Sequence, residues 1–461
     1  MDALGLRLDE KGYQQSSSLG SRLVLQIVCD KPDTHSLSPG LRERWLSVRD
    51  SDFCRKIAET YATQIATIGL GLLTSVAVAR ALGPSGRGLY GVALAVGLLG
   101  IQFGHLGLHL SNTYHLAKNP LLLPQILGNS LLASLVVGGG GALVAWAVFL
   151  AFPRVAPLTG TLLPLALLWM PLGLAYLLLQ NILLALHQVR TYNKVDFWFR
   201  VVSLSLVAGI LLTHHVTPVT MFAASLFALA LSSLAILAAL RRFPRPSLNL
   251  LRGHFTVGLN AYMITFLSFI VLRIDVLMVK YMLGTEPTGY YSIAASLADY
   301  LLMLPNVTAM ILLPRLSGLS NFDDKYQKAR SAVLGIALAL GPLILVSALC
   351  ARVIVRLLFG QAFLPAVEPF LWLTPGVFTL GIEVVAVQLL NSLGFPRKVV
   401  WIWVVSSATN VAGNLWTIPR YGIIGASAVS SVTYSLTLVA ILAVIYKTKR
   451  NVRNLGTAYA C

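Results

Sequence analysis

The stretch RALGPSGRGLYGVALAV, residues 80–96, decides how this chain is read. It places Gly83, Pro84, Gly86 and Gly88 within six positions and then turns apolar again at once. Glycine and proline at this density belong to turns, where one supplies positive φ and the other a preset φ near −65°. These residues sit between two long, largely apolar runs. The stretch therefore reads as a tight hairpin between two long hydrophobic helices.

The rest of the chain sets the solvent for those helices. Of 461 residues, 56% are hydrophobic and 11% charged, with a mean hydropathy of +0.76. A soluble domain carries about 25% charged residues. A water-soluble fold of this length would lack the polar groups to cover its surface, so the chain reads as an all-α polytopic membrane protein. The net charge of +18 would suggest nucleic acid in a soluble protein. Here the basic residues fall in short breaks between apolar runs and serve to orient helices, so no nucleic-acid partner is expected. Cys29, Cys54, Cys350 and Cys461 form no metal-ligand spacing, so neither a metal nor a cofactor is expected.

About twelve apolar runs follow Lys56, at roughly 57–79, 88–112, 126–152, 161–187, 193–213, 217–240, 255–279, 288–313, 331–350, 364–391, 399–418 and 423–446. Each is long enough to cross a ~30 Å hydrocarbon core at about 1.5 Å per residue. With both termini inside, the inner segments carry 22 Lys and Arg and the outer loops 7, namely Arg80, Arg87, Arg154, Lys280, Arg352, Arg356 and Arg420. That bias predicts an N-in, C-in arrangement. Residues 1–55 read as a poorly ordered cytoplasmic extension and 449–461 as a cytoplasmic tail.

The opening stretch recurs. Shifted by 201 residues it meets YMLGTEPTGYYSIAASL, residues 281–297, with Leu82, Gly83, Gly88, Tyr90 and Ala93 matching Leu283, Gly284, Gly289, Tyr291 and Ala294. LWMPLG (168–173) resembles LWLTPG (371–376), and ALHQVR (185–190) resembles SLGFPR (392–397), at offsets of 203 and 207. Three matches in order predict two homologous six-helix lobes, residues 56–245 and 246–448. Six is even, so both lobes run the same way and relate by an axis along the membrane normal, with a site between them.

The turn R-A-L-G-P-x-G-x-G-x-Y, the segment G-Y-Y-S-I-A-A-S-L and the segment L-N-S-L-G-F-P-R resemble those of polysaccharide flippases in the multidrug/oligosaccharidyl-lipid/polysaccharide (MOP) exporter superfamily. The resemblance covers about residues 55–450. It implies a V-shaped pair of lobes, alternating access, and transport of a polyprenyl-pyrophosphate-linked oligosaccharide across the cytoplasmic (inner) membrane for surface polysaccharide biosynthesis. Its implied partners are the lipid-linked oligosaccharide, membrane lipids and other polysaccharide-assembly membrane proteins. The N-terminal extension departs from the family pattern.

Charged residues inside membrane runs are costly and are functional candidates on that ground. Asp299 lies near the centre of the eighth run, with Tyr300 beside it. Arg273 and Asp275 lie in the seventh run; at i, i+2 they point about 200° apart and do not face each other. Glu383 lies in the tenth run and Arg200 in the fifth. Arg273 suits a pyrophosphate, which a guanidinium binds bidentately. Asp299, Asp275 and Glu383 are the candidates for coupling transport to protons or a cation. The plainer alternative is that these groups form ion pairs between helices, and Asp196 and Arg200, at i, i+4, suit mutual neutralisation.

Other features read as structural. His105 and His109 are i, i+4 without a third ligand, and Glu59 suits a helix-end cap. Tyr90, Tyr291 and Tyr300 suit either sugar stacking or interface anchoring. Gly138 to Gly141 and the G-x-x-x-G at 100–104 suit close helix approach, while Pro171 and Pro375 mark breaks at matching places in the fourth and tenth runs. No Walker A sequence is present, so ATP is not the expected energy source. A multidrug and toxin extrusion antiporter shares the expected architecture and is the main alternative. A membrane enzyme fits less well, because no sizeable loop rich in His, Asp or Glu follows residue 56.

Overall fold

The computed structural model describes residues 52–186, 188–213, 215–247 and 259–458. The expected extension lies outside them except for 52–55, which already belong to the first helix. Ten helices among the described residues are long and apolar enough to cross a membrane. Two of these fold back on themselves, which makes twelve spans.

The first fold-back is the opening stretch. Helix runs from Asp52 to Gly104 with one interruption, Gly83, at φ 67° and ψ 179°. Arg87 Nη2 donates to Ser75 Oγ at 3.1 Å. On a straight helix those residues stand about 18 Å apart along the axis, so the chain reverses at Gly83. The turn is thus a single left-handed residue rather than a loop, which only glycine adopts without strain. Arg80 and Arg87, expected in an outer loop, are both helical. Gly422 (φ 61°) makes the same reversal near the C-terminus, where Ser406 Oγ meets Thr437 Oγ1 at 2.6 Å across 31 residues.

The spans are α1 (52–82), α2 (84–104), α3 (Pro120–Ala151), α4 (Leu162–Ala185), α5 (Val189–Thr213) and α6 (Pro218–Leu240). The second set is α7 (Leu259–Leu283), α8 (Thr285–Ser317), α9 (Phe322–Leu349), α10 (Val367–Asn391), α11 (397–421) and α12 (423–458). Helix therefore continues through the expected tail as far as Ala458. The second run ends earlier than expected, at Gly104. Leu106 and Gly107 take positive φ, and a short helix follows at Leu108–Lys118. His105 and His109 are thus not on one continuous helix.

Two hydrophobic cores follow the two halves. One joins Val78, Tyr90, Trp169, Leu174 and Phe222; the other joins Val271, Ile293, Leu340, Phe370 and Leu389. The repeat is visible in backbone geometry, since Gly284 reverses the chain between α7 and α8 at φ 93°, as Gly83 does 201 residues earlier. The two copies also touch. A Cβ on Gly88 of α2 would stand 1.9 Å from the Thr285 carbonyl oxygen, and one on Gly289 of α8 would stand 2.0 Å from that of Pro84. The two hairpins therefore cross at glycines, on the side that the Lys and Arg bias makes the outer one.

Of the four glycines in the third run, Gly138 serves close approach, while a Cβ on Gly139 or Gly140 would meet nothing within 4 Å. A Cβ on Gly138 would lie 2.8 Å from Pro171 Cα, beside a π-helical segment at Ser134–Gly139. Gly100 packs in the same way on Met170. The prolines do not break their helices, for α4 and α10 run continuously through Pro171 and Pro375. In α10 the Ser431 hydroxyl of α12 inserts between the Trp372 carbonyl, to which it donates, and the Gly376 N–H, which donates to it at 3.1 Å. The two backbone groups are satisfied by that side chain.

Candidate functional site

Apart from Glu383 and Asp196, the charged residues of the membrane runs fall in two groups, one between the lobes and one inside the second lobe. Between the lobes, Arg273 of α7 pairs with Asp299 of α8 at 2.8 Å. The i, i+2 spacing turned Arg273 away from Asp275 and toward the neighbouring helix. The pair is not sealed, since Asp299 keeps 40% of its side-chain surface exposed and Arg273 25%. Tyr300 shares this space. Arg87, Arg200 and Asp299 lie within electrostatic range of it, and Ser75 of α1 hydrogen-bonds its hydroxyl.

Arg87 was not legible as a site residue, because its place beside a Gly–Pro turn assigned it to a loop. It is buried, bonded to Ser75 and, at 3.4 Å, to Ser296 of α8. Its guanidinium carbon lies 5.4 Å from the Tyr90 ring centroid, and its Nε has no partner. The Cα trace of the turn is what distinguishes it from Arg80, whose guanidinium donates to the carbonyls of Leu357 and Leu358 across the outer face. Arg200 approaches α1 at Gly71, where a Cβ would lie 3.3 Å from its Nη1, and it leaves its own Nε unbonded. The mutual neutralisation of Asp196 and Arg200 does not take the form of contact. Asp196 accepts from Gln180 and Tyr176, and no ion pair within 4 Å joins it to Arg200 among the described residues.

This interlobe space brings Arg87 and Arg200 within electrostatic range of Tyr300 beside the Arg273–Asp299 pair. Asp275 also acts on Arg273 and Asp196 on Arg200, while no carboxylate acts on Arg87 among the described residues. Charge at membrane depth is costly unless it faces water, a partner or a substrate. The spare Nε donors of Arg87 and Arg200 suit an anionic group with several oxygens.

The second group is enclosed. Asp275 is buried, and its carboxylate accepts from Tyr291, from the Val276 N–H at 2.8 Å and from Ser430 of α12 at 3.4 Å. Ser407 of α11 bonds the Leu267 carbonyl of α7. Those helices run in the same direction, so Asp275, eight residues on, lies at the depth of Asn414. Asn414 bonds Asn410 at 3.1 Å, leaving its own Oδ1 and the Asn410 Nδ2 without partners though both residues are 0% exposed. The first lobe holds the matching pair, Tyr90 with Ser225 at 2.9 Å, but Thr74 stands at the position of Asp275. The carboxylate is what breaks the symmetry.

Glu383 lies elsewhere in α10, 1% exposed and with Oε1 unbonded. Tyr90 and Tyr291 are buried and engaged within their lobes, so neither presents a ring to a sugar. The side chain of Glu59 lies outside the described ones.

At the inner end the lobes meet through rings. Phe103 packs edge-on against Phe266 of α7 with centroids 4.6 Å apart, and His105 against Tyr262 at 5.2 Å. Tyr262 also donates to the Phe103 carbonyl at 3.3 Å, and His109 meets His105 at 4.6 Å. These are side-chain contacts, unlike the backbone contact of glycines at the outer end. Tyr262→Ala is therefore expected to open the inner end. With the four native cysteines replaced, a cysteine at Ser296 should react several-fold faster with a membrane-impermeant maleimide added from the inner side. An unchanged rate would show that these rings do not close the path.

A family description, "Polysaccharide biosynthesis protein", matches residues 77–368. Two archaeal relatives align at 26% identity: a probable flippase, AglR, of Haloferax volcanii, over 37% of each chain, and an uncharacterized membrane protein of Methanocaldococcus jannaschii, over 39% of this chain and 36% of that one. The chain thus covers little more than a third of the length of each. Among solved structures, an inward-facing multidrug resistance MATE family transporter of the MOP superfamily superposes with a TM-score of 0.67 at 15% identity, over 84% of this chain and 94% of that one. The lipid II flippase MurJ in an inward closed conformation gives 0.67 at 15% identity, over 84% and 87%. At such identities these two structures establish a shared fold.

Proposed function

This chain belongs to the polysaccharide biosynthesis protein family, and from that premise we propose that it is a flippase for polyprenyl-pyrophosphate-linked oligosaccharide repeat units. It carries them across the cytoplasmic membrane by alternating access of its two lobes, for surface polysaccharide biosynthesis. The observation that carries this reading is the cationic interlobe space. Arg87 has no carboxylate acting on it among the described residues, and Arg87 and Arg200 each keep a buried, unbonded Nε that a pyrophosphate oxygen can take. Tyr300 contributes a hydroxyl and a ring face to the same space. The kinship with a probable flippase supports the same reaction class.

Asp299, paired with Arg273, releases or retakes that cation as the substrate phosphate competes for it. Asp275 couples the cycle to a proton or a hard cation, since its carboxylate and the Ser430 hydroxyl place oxygen atoms together inside a lobe. Glu383 is the second coupling candidate, as a buried carboxylate with an unbonded oxygen.

A MATE-type multidrug antiporter is the second reading, favoured by equal similarity to a transporter of that family. The unbalanced guanidinium of Arg87 in the interlobe space argues against it, because it repels the cationic drugs such an antiporter expels. Expression in flippase-null bacteria separates the two. Restoration of surface glycan with one of a panel of glycan loci is expected, with no change in resistance to cationic dyes. Dye resistance without glycan rescue would select the antiporter.

A further inference from the structure

The second lobe carries a surface feature apart from the interlobe space. Between α11 and α12 is a cleft of about 340 Å³, bounded by Lys398, Trp401, Val405, Thr409 and Leu436. Its apolar wall is open, with Trp401, Val405 and Leu436 all exposed. Along α11 the cleft runs from Lys398 to Thr409, eleven residues or about 16 Å. That is one half of a ~30 Å hydrocarbon core, the depth of a single leaflet.

The inner mouth is basic. Ser406 faces Thr437 in this antiparallel pair, which sets Lys398 level with residue 445 and Lys447 within one turn of it. Arg397, Lys398 and Lys447 are exposed, and none of them forms an ion pair among the described residues. The N-terminus of α11 adds its partial positive charge at the same place. The positive-inside bias accounts for basic residues in loops, but not for an apolar cleft that rises from them for one leaflet's depth.

We infer that this cleft is a binding site for one anionic phospholipid of the cytoplasmic leaflet. Its phosphate sits between Lys398 and Lys447 at the start of α11, and one acyl chain lies along Trp401, Val405 and Leu436. The inference concerns a resident lipid and stands apart from the substrate proposed above.

The test uses the full chain, delipidated in mild detergent and titrated with phosphatidylglycerol or phosphatidylcholine, with bound lipid counted by native mass spectrometry. One phosphatidylglycerol per chain is expected, retained at least tenfold better than phosphatidylcholine. Lys398→Gln with Lys447→Gln should abolish that preference. Val405→Trp, which fills the cleft and leaves both lysines in place, should abolish retention. Lys328→Gln, an exposed basic residue of the loop side elsewhere, should change nothing, and an unaltered gel-filtration profile identifies variants that have folded. Equal retention of the two lipids overturns the inference, as does retention that survives both cleft variants. Displacement of phosphatidylglycerol by equimolar polyprenyl phosphate also overturns it, by assigning the cleft to the carrier.

Discussion

Arg273→Ala is expected to reduce glycan export by tenfold to a hundredfold, and removal of its partner is not expected to restore it. The guanidinium has two roles in this account: it neutralises Asp299 at 2.8 Å, and it binds a phosphate oxygen of the substrate. A charge-assisted hydrogen bond contributes about 1.5–3 kcal/mol, which is the stated range of rate or affinity. The single variant also leaves Asp299 unpaired at membrane depth, so some loss will come from misfolding. Arg273→Ala with Asp299→Ala removes both charges and separates the two effects. Folded protein in the membrane should recover in the double variant, and export should not. Recovery of export along with folding would make the pair a structural bridge between α7 and α8. Arg87→Ala is expected to behave like the single variant in export, without an acidic partner whose removal rescues folding.

The second large effect is steric. Gly88→Val and Gly289→Val each direct a branched side chain at backbone that already stands about 2 Å from a Cβ at those positions. The colliding atoms are the carbonyls of Thr285 and Pro84 in the turns themselves, so no rotamer relieves the contact. Overpacking of this kind costs about 1–3 kcal/mol or more. It falls on the outer crossing of the two hairpins, so the lobes must part there. An outward-open population is the expected result, read as increased labelling of a cysteine at Ser296 from the outer side together with loss of export. Gly69→Ala is the matched control, because a Cβ there meets nothing within 4 Å. Normal export by either valine variant would show that the crossing is not needed in the transport cycle.

These residues also show which parts of the molecule sequence reveals. The membrane class and the number of spans follow from run length and composition, and Gly83 and Gly284, 201 residues apart, share one kind of backbone reversal. The repeat does not say that its two copies touch. Gly88 and Gly289 looked like turn residues, and their contact arises from the packing of α2 on α8. Arg87 shows a second limit, since a Gly–Pro cluster marks a turn but not its length. Because one residue makes the whole reversal, a cation assigned to an outer loop lies inside the bundle. Asp275 and Arg273 were both visible as charges in an apolar run, and their spacing sent them different ways. Only the neighbouring helices decide that one meets an exposed carboxylate and the other a buried set of hydroxyls and amides. Ser431, inserted in the α10 backbone beside Pro375, has no local signal at all, because its partners lie 55 and 59 residues away.

The central claim is movement of a pyrophosphate-linked glycan through a cationic space between two lobes. It is tested most directly by purified protein in liposomes loaded with a fluorescent polyprenyl-pyrophosphate oligosaccharide. Appearance of the glycan at the opposite leaflet is followed by quenching from outside. The account predicts translocation well above that of empty liposomes, lost in Arg87→Ala and in the double variant Arg273→Ala with Asp299→Ala. Translocation that is equal in empty liposomes, or that survives removal of those arginines, would contradict it.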